Sequence, residues 1–505
     1  MKGRRNVDSV EWAAWFDAPE YEFARQVLQR GIALLYLVAF LSSHNQFPAL
    51  LGERGLLPVP EFVAAFSRWR RPTLFRWRYS DRLLRGVCWL GMAIAATLVL
   101  GLPQLGPPWV PMLAFLALWL LYMSIVNVGQ TFYGFGWEML LLEAGFIVAF
   151  LGSNQTPPPR TVLLLLVWLL FRLEFGAGLI KIRGGREWRD LTALYYHHET
   201  QPMPGPLSRQ AHLLPKPVHR MEVVGNHFAQ LVVPFFLFAP QPVASIAAGI
   251  VIFTQLWLVA TGNFAWLNWA TILLAFAAVS DPVAHAVVPA IPLDGHAAAA
   301  GAGAGASRSP AWWLAIVLAV TLLLLVLSYR PIRNLLSRQQ LMNASFNRWQ
   351  LGNTYGAFGT VTKRRIEIVV EGTLDADPGD DADWREYEFK GKPGNVRRIP
   401  RQWAPYHLRL DWLMWFLPLR TVHEEWFYAF LAKLLMADRP MLRLLRHDPF
   451  VGERPRWVRA RSYLYRFSSR AEFRETGGQR WIRTPISEAI PPLSLPSGTR
   501  TVEPG

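Results

Sequence analysis

Hydrophobic positions in this chain come in long blocks. About nine blocks, near residues 27–43, 84–101, 109–127, 137–152, 161–181, 222–239, 243–260, 265–280 and 311–328, approach or reach the roughly 20 residues that cross a bilayer. Polar, Pro-rich or Gly-rich connections separate them, such as Asn127–Gly136 and Asn154–Arg160. The pattern predicts a polytopic α-helical membrane bundle over residues 1–328. Lys2, Arg4 and Arg5 precede the first block as in a signal peptide, but no small-residue cleavage site follows, so it is kept as a span.

From Tyr329 the pattern changes. Ile366, Ile368 and Val370 alternate with Glu367 and Glu371, the period of a half-buried strand. Trp384–Lys390 reads as its partner across the acidic turn 375–383. Trp457–Phe467 alternates again, and 406–419 and 424–437 have helical content. These features predict a soluble α+β domain over 329–485 with a small β-sandwich-like core, then a loose tail over 486–505. The Ala/Gly run Ala297–Ala306 reads as a linker. Trp12, Trp15 and Phe16, and the stretch Arg68, Trp69, Arg70, Arg71, Arg76, Trp77 and Arg78, read as interfacial segments at headgroup level.

Composition changes this picture in two ways. The net charge is +16, with the basic residues in loops beside the apolar blocks, which points to anionic lipid headgroups and away from nucleic acid. The one cysteine, Cys88, lies in an apolar block. Internal disulfides and exchange by a cysteine pair are excluded.

Charge inside the apolar blocks marks the candidate site. Glu138, Glu143, Arg172 and Glu174 fall within or near blocks four and five, and Lys181 closes the fifth. Such charges are tolerated where they are paired or line a protected cavity. Folding the chain at about residue 157 brings Glu143 level with Arg172, so these two are expected to pair. Glu174 points to another face and needs another partner. Gly176 and Gly178 allow close backbone approach. The following loop holds Trp188, His197, His198 and Glu199, with His212, His219 and His227 beyond. His197 and His198 do not share a helix face and no H-E-x-x-H spacing occurs, so no metal site is expected. No phosphate loop or cofactor motif is present either.

Several strings carry a family resemblance. They are Asn45-Gln46-Phe47 with Gly52–Pro58, Tyr133–Glu138, Arg172–Lys181 with Trp188–Thr192, and His198-Glu199-Thr200-Gln201-Pro202. In the tail they are Asn353–Gly359, Trp384–Lys390 and Pro405–Phe416. In this order the chain resembles the lipase maturation factor family, membrane chaperones of the endoplasmic reticulum that act on secreted lipases. The resemblance implies a membrane-anchored maturation factor without enzymatic activity. Its partners would be membrane lipids and secreted clients such as lipases. Its client-handling residues would lie among Tyr355, Phe358, Tyr406, His407, Arg409, Asp411 and Trp412. The single cysteine and the Ala-, Arg- and Trp-rich composition suggest a bacterial member in the inner membrane.

A shorter likeness, Phe175–Lys181 followed by Trp188, is to the membrane core of vitamin K-dependent carboxylases. It implies an alternative: an enzyme acting on a lipid-soluble substrate with Lys181 as base. The Gly184-Gly185-Arg186 stretch departs from that pattern. Topology is open at this level. Nine spans put the loops 44–84 and 182–221 on the side of the tail; their arginines favour the cytoplasm, whereas the resemblance implies the lumenal side.

Overall fold

A computed structural model describes residues 15–65, 71–289 and 309–496. Trp12, Arg68–Arg70, the linker 297–306 and the end of the tail lie outside the described residues. The first helix, α1, spans Glu22–Leu51. It is followed by α2 (Asp81–Val99), α3 (Trp109–Val128), α4 (Gly136–Val148) and α5 (Arg160–Arg183). Next come the short α6 (Leu194–Thr200), then α7 (Lys216–Leu231), α8 (Val243–Thr261), α9 (Leu267–Ala275), α10 (Asp281–Val287), α11 (Ala311–Leu327) and α12 (Tyr329–Leu336).

Local chemistry sets the ends of these helices. Pro159 and Pro310, both extended, cap the starts of α5 and α11. The Ser80 hydroxyl accepts from the Leu83 amide to cap α2. The start of α1 is capped from far along the chain, since the Asp281 carboxylate accepts from the amides of Glu22 and Phe23 at 3.0 and 3.1 Å.

Among the described residues, six helical stretches are long and apolar enough to cross a membrane: Pro19–Leu51, Asp81–Val99, Trp109–Val128, Arg160–Arg183, Val243–Thr261 and Ala311–Leu336. A seventh arises if Leu267–Ala278 and Asp281–Val287, bent by 114°, count as one. The nine spans expected from hydropathy are therefore reduced. Block 137–152 becomes the 13-residue α4, about 20 Å long and short of the roughly 30 Å hydrocarbon core. Block 222–239 is divided between α7, which carries Glu222, Asn226, His227 and Gln230, and the separate turn Val233–Phe236. Both stretches are nevertheless packed in the bundle. Glu138 of α4 meets the tail, and the Gly152 carbonyl beyond it accepts from Gln29 near the start of α1.

The tail builds one sheet. Strands β1 (Arg365–Thr373), β2 (Arg385–Glu386), β3 (Trp457–Phe467) and β4 (Trp481–Leu493) pair antiparallel in the order β2-β1-β3-β4. Ile368 stands opposite Ser462, and Tyr465 opposite Arg483. The sandwich expected from the alternation is a single sheet. Ile368, Val370, Val458 and Ala460 are buried in the same core as helices α13 (Arg409–Phe416) and α14 (Glu425–Leu435), so helices supply the second layer. Tyr463, Tyr465, Phe467 and Trp481 make a smaller cluster with Val369. β4 runs to Leu493, so residues 486–493, expected in a loose tail, are an outer strand. The main core is continuous from the bundle into this domain.

Candidate functional site

Buried charge concentrates where the tail meets the bundle. Glu143 on α4 and Arg172 on α5 pair at 2.5 Å, side by side as the short turn between their helices dictates. The tail completes this pair. Arg172 also donates to the Asn353 carbonyl at 2.7 Å, and the second Glu143 oxygen accepts from the Asn353 amide, the Asn353 side chain and the Tyr355 hydroxyl at 3.0, 2.9 and 2.8 Å. The carboxylate thus has one cation and three further donors. That number of partners is what makes burial of an ion pair tolerable.

The glycines of α5 make room for this segment. A Cβ at Gly176 would lie 2.7 Å from the Tyr355 carbonyl oxygen, so the tail backbone needs glycine there. Gly185 donates its amide to the Gly359 carbonyl, and the Trp188 indole donates to that of Phe358, each at 2.7 Å. Phe358 holds a left-handed φ of 56° and packs its ring on Phe264 and His197.

A second joint is built on Glu138. Arg409 of α13 donates to Glu138 at 2.6 Å and to the Phe132 carbonyl at 2.9 Å, with its guanidinium 3.4 Å from the Tyr133 ring centroid. The Tyr122 hydroxyl donates to the other Glu138 oxygen at 2.5 Å. Ser42 and Gln46 donate to the His407 carbonyl, and the Gln46 carbonyl oxygen accepts from the Arg409 amide. Burial, then the Arg409 charge, brings the His407 imidazole down to about 4. Asp411, also buried, is pushed up to about 6 by desolvation although it accepts from the Gly391 amide. Trp412 packs on Trp137 and Phe135.

A third cluster lies inside the bundle. The Lys181 ammonium donates to Asn226 and Gln230 at 2.9 and 2.8 Å and sits 4.7 Å from the Trp188 ring centroid. Gln230 and Gln255 donate their amides to the two Glu174 oxygens, and Asn268 donates to Gln255. Glu174 and Lys181 are joined through Gln230, and neither pairs with Glu143 or Arg172.

The loop motif is held by the sheet. Arg365 of β1 donates to the carbonyls of Glu199, Gln201 and Pro202, and pairs with Glu367, which also pairs with Lys392. The Glu199 carboxylate accepts from the Phe467 amide at 2.7 Å, and burial raises its pKa. His197 is lowered to about 4 and His198 well below the imidazole range, both by burial first.

The structure therefore brings Glu138, Glu143 and Arg172 to the tail interface and places Glu174 and Lys181 apart. Tyr355, His407, Arg409, Asp411 and Trp412, candidates for touching a client, are at most 2% exposed. Tyr355, His407, Arg409 and Trp412 key the tail into the bundle, Asp411 is bonded within the tail to Gly391, and none of the five presents a surface. Phe358 and Tyr406 are only partly buried. Sequence reasoning missed Asn226, Gln230, Gln255, Asn268, Arg365, Glu367, Lys392 and Glu222. Polar residues within apolar blocks were the available signal for the first four.

A membrane-anchored protein whose helical bundle and α+β domain are locked together by buried ion pairs is the class that this arrangement defines. Profiles described as the lipase maturation factor transmembrane domain and C-terminal domain match residues 23–286 and 351–491. Lipase maturation factor 1 of Homo sapiens is 40% identical, over 93% of this chain and 88% of its own length, and that of Bos taurus is 39% identical, over 94% and 90%. Lipase maturation factor 2 of Homo sapiens is 28% identical over 95% and 83%. The chain belongs to the lipase maturation factor family. No solved structure matches it.

Proposed function

We propose that this protein is a membrane-anchored factor for the maturation of lipases. The observation that carries this reading is the match to lipase maturation factor 1 through both the bundle and the tail, in order, at about 40% identity. The buried joints support it physically: they hold a soluble domain rigidly at the membrane face. The partly exposed Phe358 and Tyr406, at the seam of bundle and tail, are the candidate client contacts. The test is co-expression of this chain with a secreted lipase in cells lacking their own maturation factor, reading secreted activity per mass of lipase. Restored specific activity is expected; correctly inserted protein that restores none overturns the reading.

The same proposal sets the topology. The tail faces the compartment through which exported proteins pass, a condition met in an endoplasmic reticulum or a bacterial inner membrane. In this reading α4 and the stretch 216–239 cross as protein-shielded passes beside the six apolar ones and the bent pair taken as a seventh, which makes nine passes in all. Under that count the far end of the bundle carries Asp281 against α1 and the near end carries Arg409 against Glu138. A reporter fused after residue 496 should be active only in the export compartment.

A further inference from the structure

The loop histidines scattered in sequence are gathered by the fold. His219 and Glu222 are three apart on α7 and share a face, and His198 reaches them from α6. One ligand atom from each of the three lies within 4.8 Å of the others. The rings of His198 and His219 are 5.8 Å apart.

Hydrogen bonding leaves this cluster electronically incomplete. His219 Nε2 faces the His212 carbonyl at 3.2 Å and can only donate to it. In the neutral ring Nδ1 is then a lone pair. That Nδ1 stands 3.0 Å from Glu222 Oε2, a second lone pair. Either a second proton or a cation must lie between them. His198 argues for the cation: it is 2% exposed, and neither ring nitrogen has a hydrogen-bond partner. A buried polar group left so is costly unless something absent from the protein itself satisfies it.

We propose that His198, His219 and Glu222 form a site for a divalent transition metal of the zinc class. Two imidazoles and one carboxylate suit zinc and its neighbours and do not suit calcium or magnesium, which take oxygen ligands. The backbone carbonyl of His212 fixes the His219 tautomer, as a hydrogen-bond acceptor on the far ring nitrogen does for metal-bound histidine. Glu222 is 17% exposed and gives the ion a way in. A bound ion would cross-link the loop to α7. It would reach the sheet too, because His212 lies 3.5 Å from Glu199 and packs on Phe467.

The test uses the full chain, purified in detergent through a tag without histidines, stripped with chelator and dialysed against zinc chloride, then against buffer. Elemental analysis should find one tightly held zinc per chain. Cobalt chloride should give the visible absorption of a low-symmetry Co(II) site. Glu222→Gln, at a partly exposed position, should weaken zinc binding by at least tenfold, in line with losses seen on perturbing metal shells. His198→Ala should abolish it, and His227→Ala, whose ring faces the Trp188 carbonyl, should leave it intact. Monodisperse parent protein that retains no zinc, or Glu222→Gln protein that binds like the parent, overturns the proposal. So does equal loss in His227→Ala, which would mean nonspecific binding.

Discussion

The Tyr355 hydroxyl donates to Glu143 at 2.8 Å across 212 residues of chain. The carboxylate belongs to the bundle and the phenol to the tail, so the ion pair of the membrane domain is finished only when the tail is seated. Folding of the two parts is coupled through this contact.

Tyr355→Phe removes one donor to a buried carboxylate that keeps its other partners. The expected cost is about 1.5–3 kcal/mol, the range for hydrogen bonds to charged groups. Glu143→Gln should cost more, about 3–5 kcal/mol, because Arg172 is then buried without its anion. A double-mutant cycle of the two on thermal unfolding in detergent should show strong coupling. Additive losses would refute the shared site.

Arg409→Lys should release the tail. A lysine keeps the charge but loses the planar guanidinium that donates from Nη1 to Glu138 and the Phe132 carbonyl, donates from Nη2 to the Tyr122 hydroxyl, and stacks on Tyr133. Limited proteolysis of the solubilised protein should cut between the bundle and β1 faster than in the parent, with insertion of the bundle unchanged.

Gly176→Ala tests the close approach of the tail backbone to α5. The added methyl meets a carbonyl oxygen at 2.7 Å and not a movable side chain. Overpacking of this kind costs about 1–3 kcal/mol. Gly225→Ala, on α7 with nothing within 4 Å of the added methyl, should cost far less. Equal unfolding midpoints for the two variants would count against the seating described.

Lys181 and Glu174 offer a separation of structural from chemical roles. Lys181→Met strands the Asn226 and Gln230 oxygens and leaves Glu174 as the uncompensated charge of its cluster, at a cost of about 3–5 kcal/mol. Adding Glu174→Gln removes that charge and should recover most of the loss, together with lipase maturation. A base in a reaction would not be rescued so. Restored stability with no restored maturation would favour the enzyme reading of Lys181.

Asp411 and His407 contribute to the pH dependence of stability with opposite signs; Glu199 acts in the sense of Asp411 and His197 in that of His407. The folded pKa of Asp411, about 6, lies above its ordinary 3.8, so its contribution is complete below about pH 4 and is lost as pH rises through 6. The folded pKa of His407, about 4, lies below its ordinary 6.5, so its contribution is present above about 6.5 and lost as pH falls through 4. The two oppose each other between these values. Asp411→Asn should therefore be up to roughly 3 kcal/mol more stable than the parent at pH 7.5, and should lose stability steadily on acidification. Unfolding midpoints measured from pH 4 to 8 check both statements.

Long apolar blocks such as 311–328 were readable along the chain because the cost of leaving them in water is a property of each segment alone. The same holds for the alternation of β1 and β3, and for Glu143 beside Arg172, which a short turn forces together. Hydropathy left undecided that 137–152 is a 13-residue helix and that 222–239 is divided, because it counts side chains and does not register whether lipid or protein surrounds them. Only the tertiary structure decided that Arg409 answers Glu138 from 271 residues away and that Tyr355 is a plug and not a contact surface. It alone placed His198 against His219 and Glu222. The reason is common to all three. A buried charge or lone pair must find a partner, but which partner is set by long-range packing, and spacing along the chain carries no record of it.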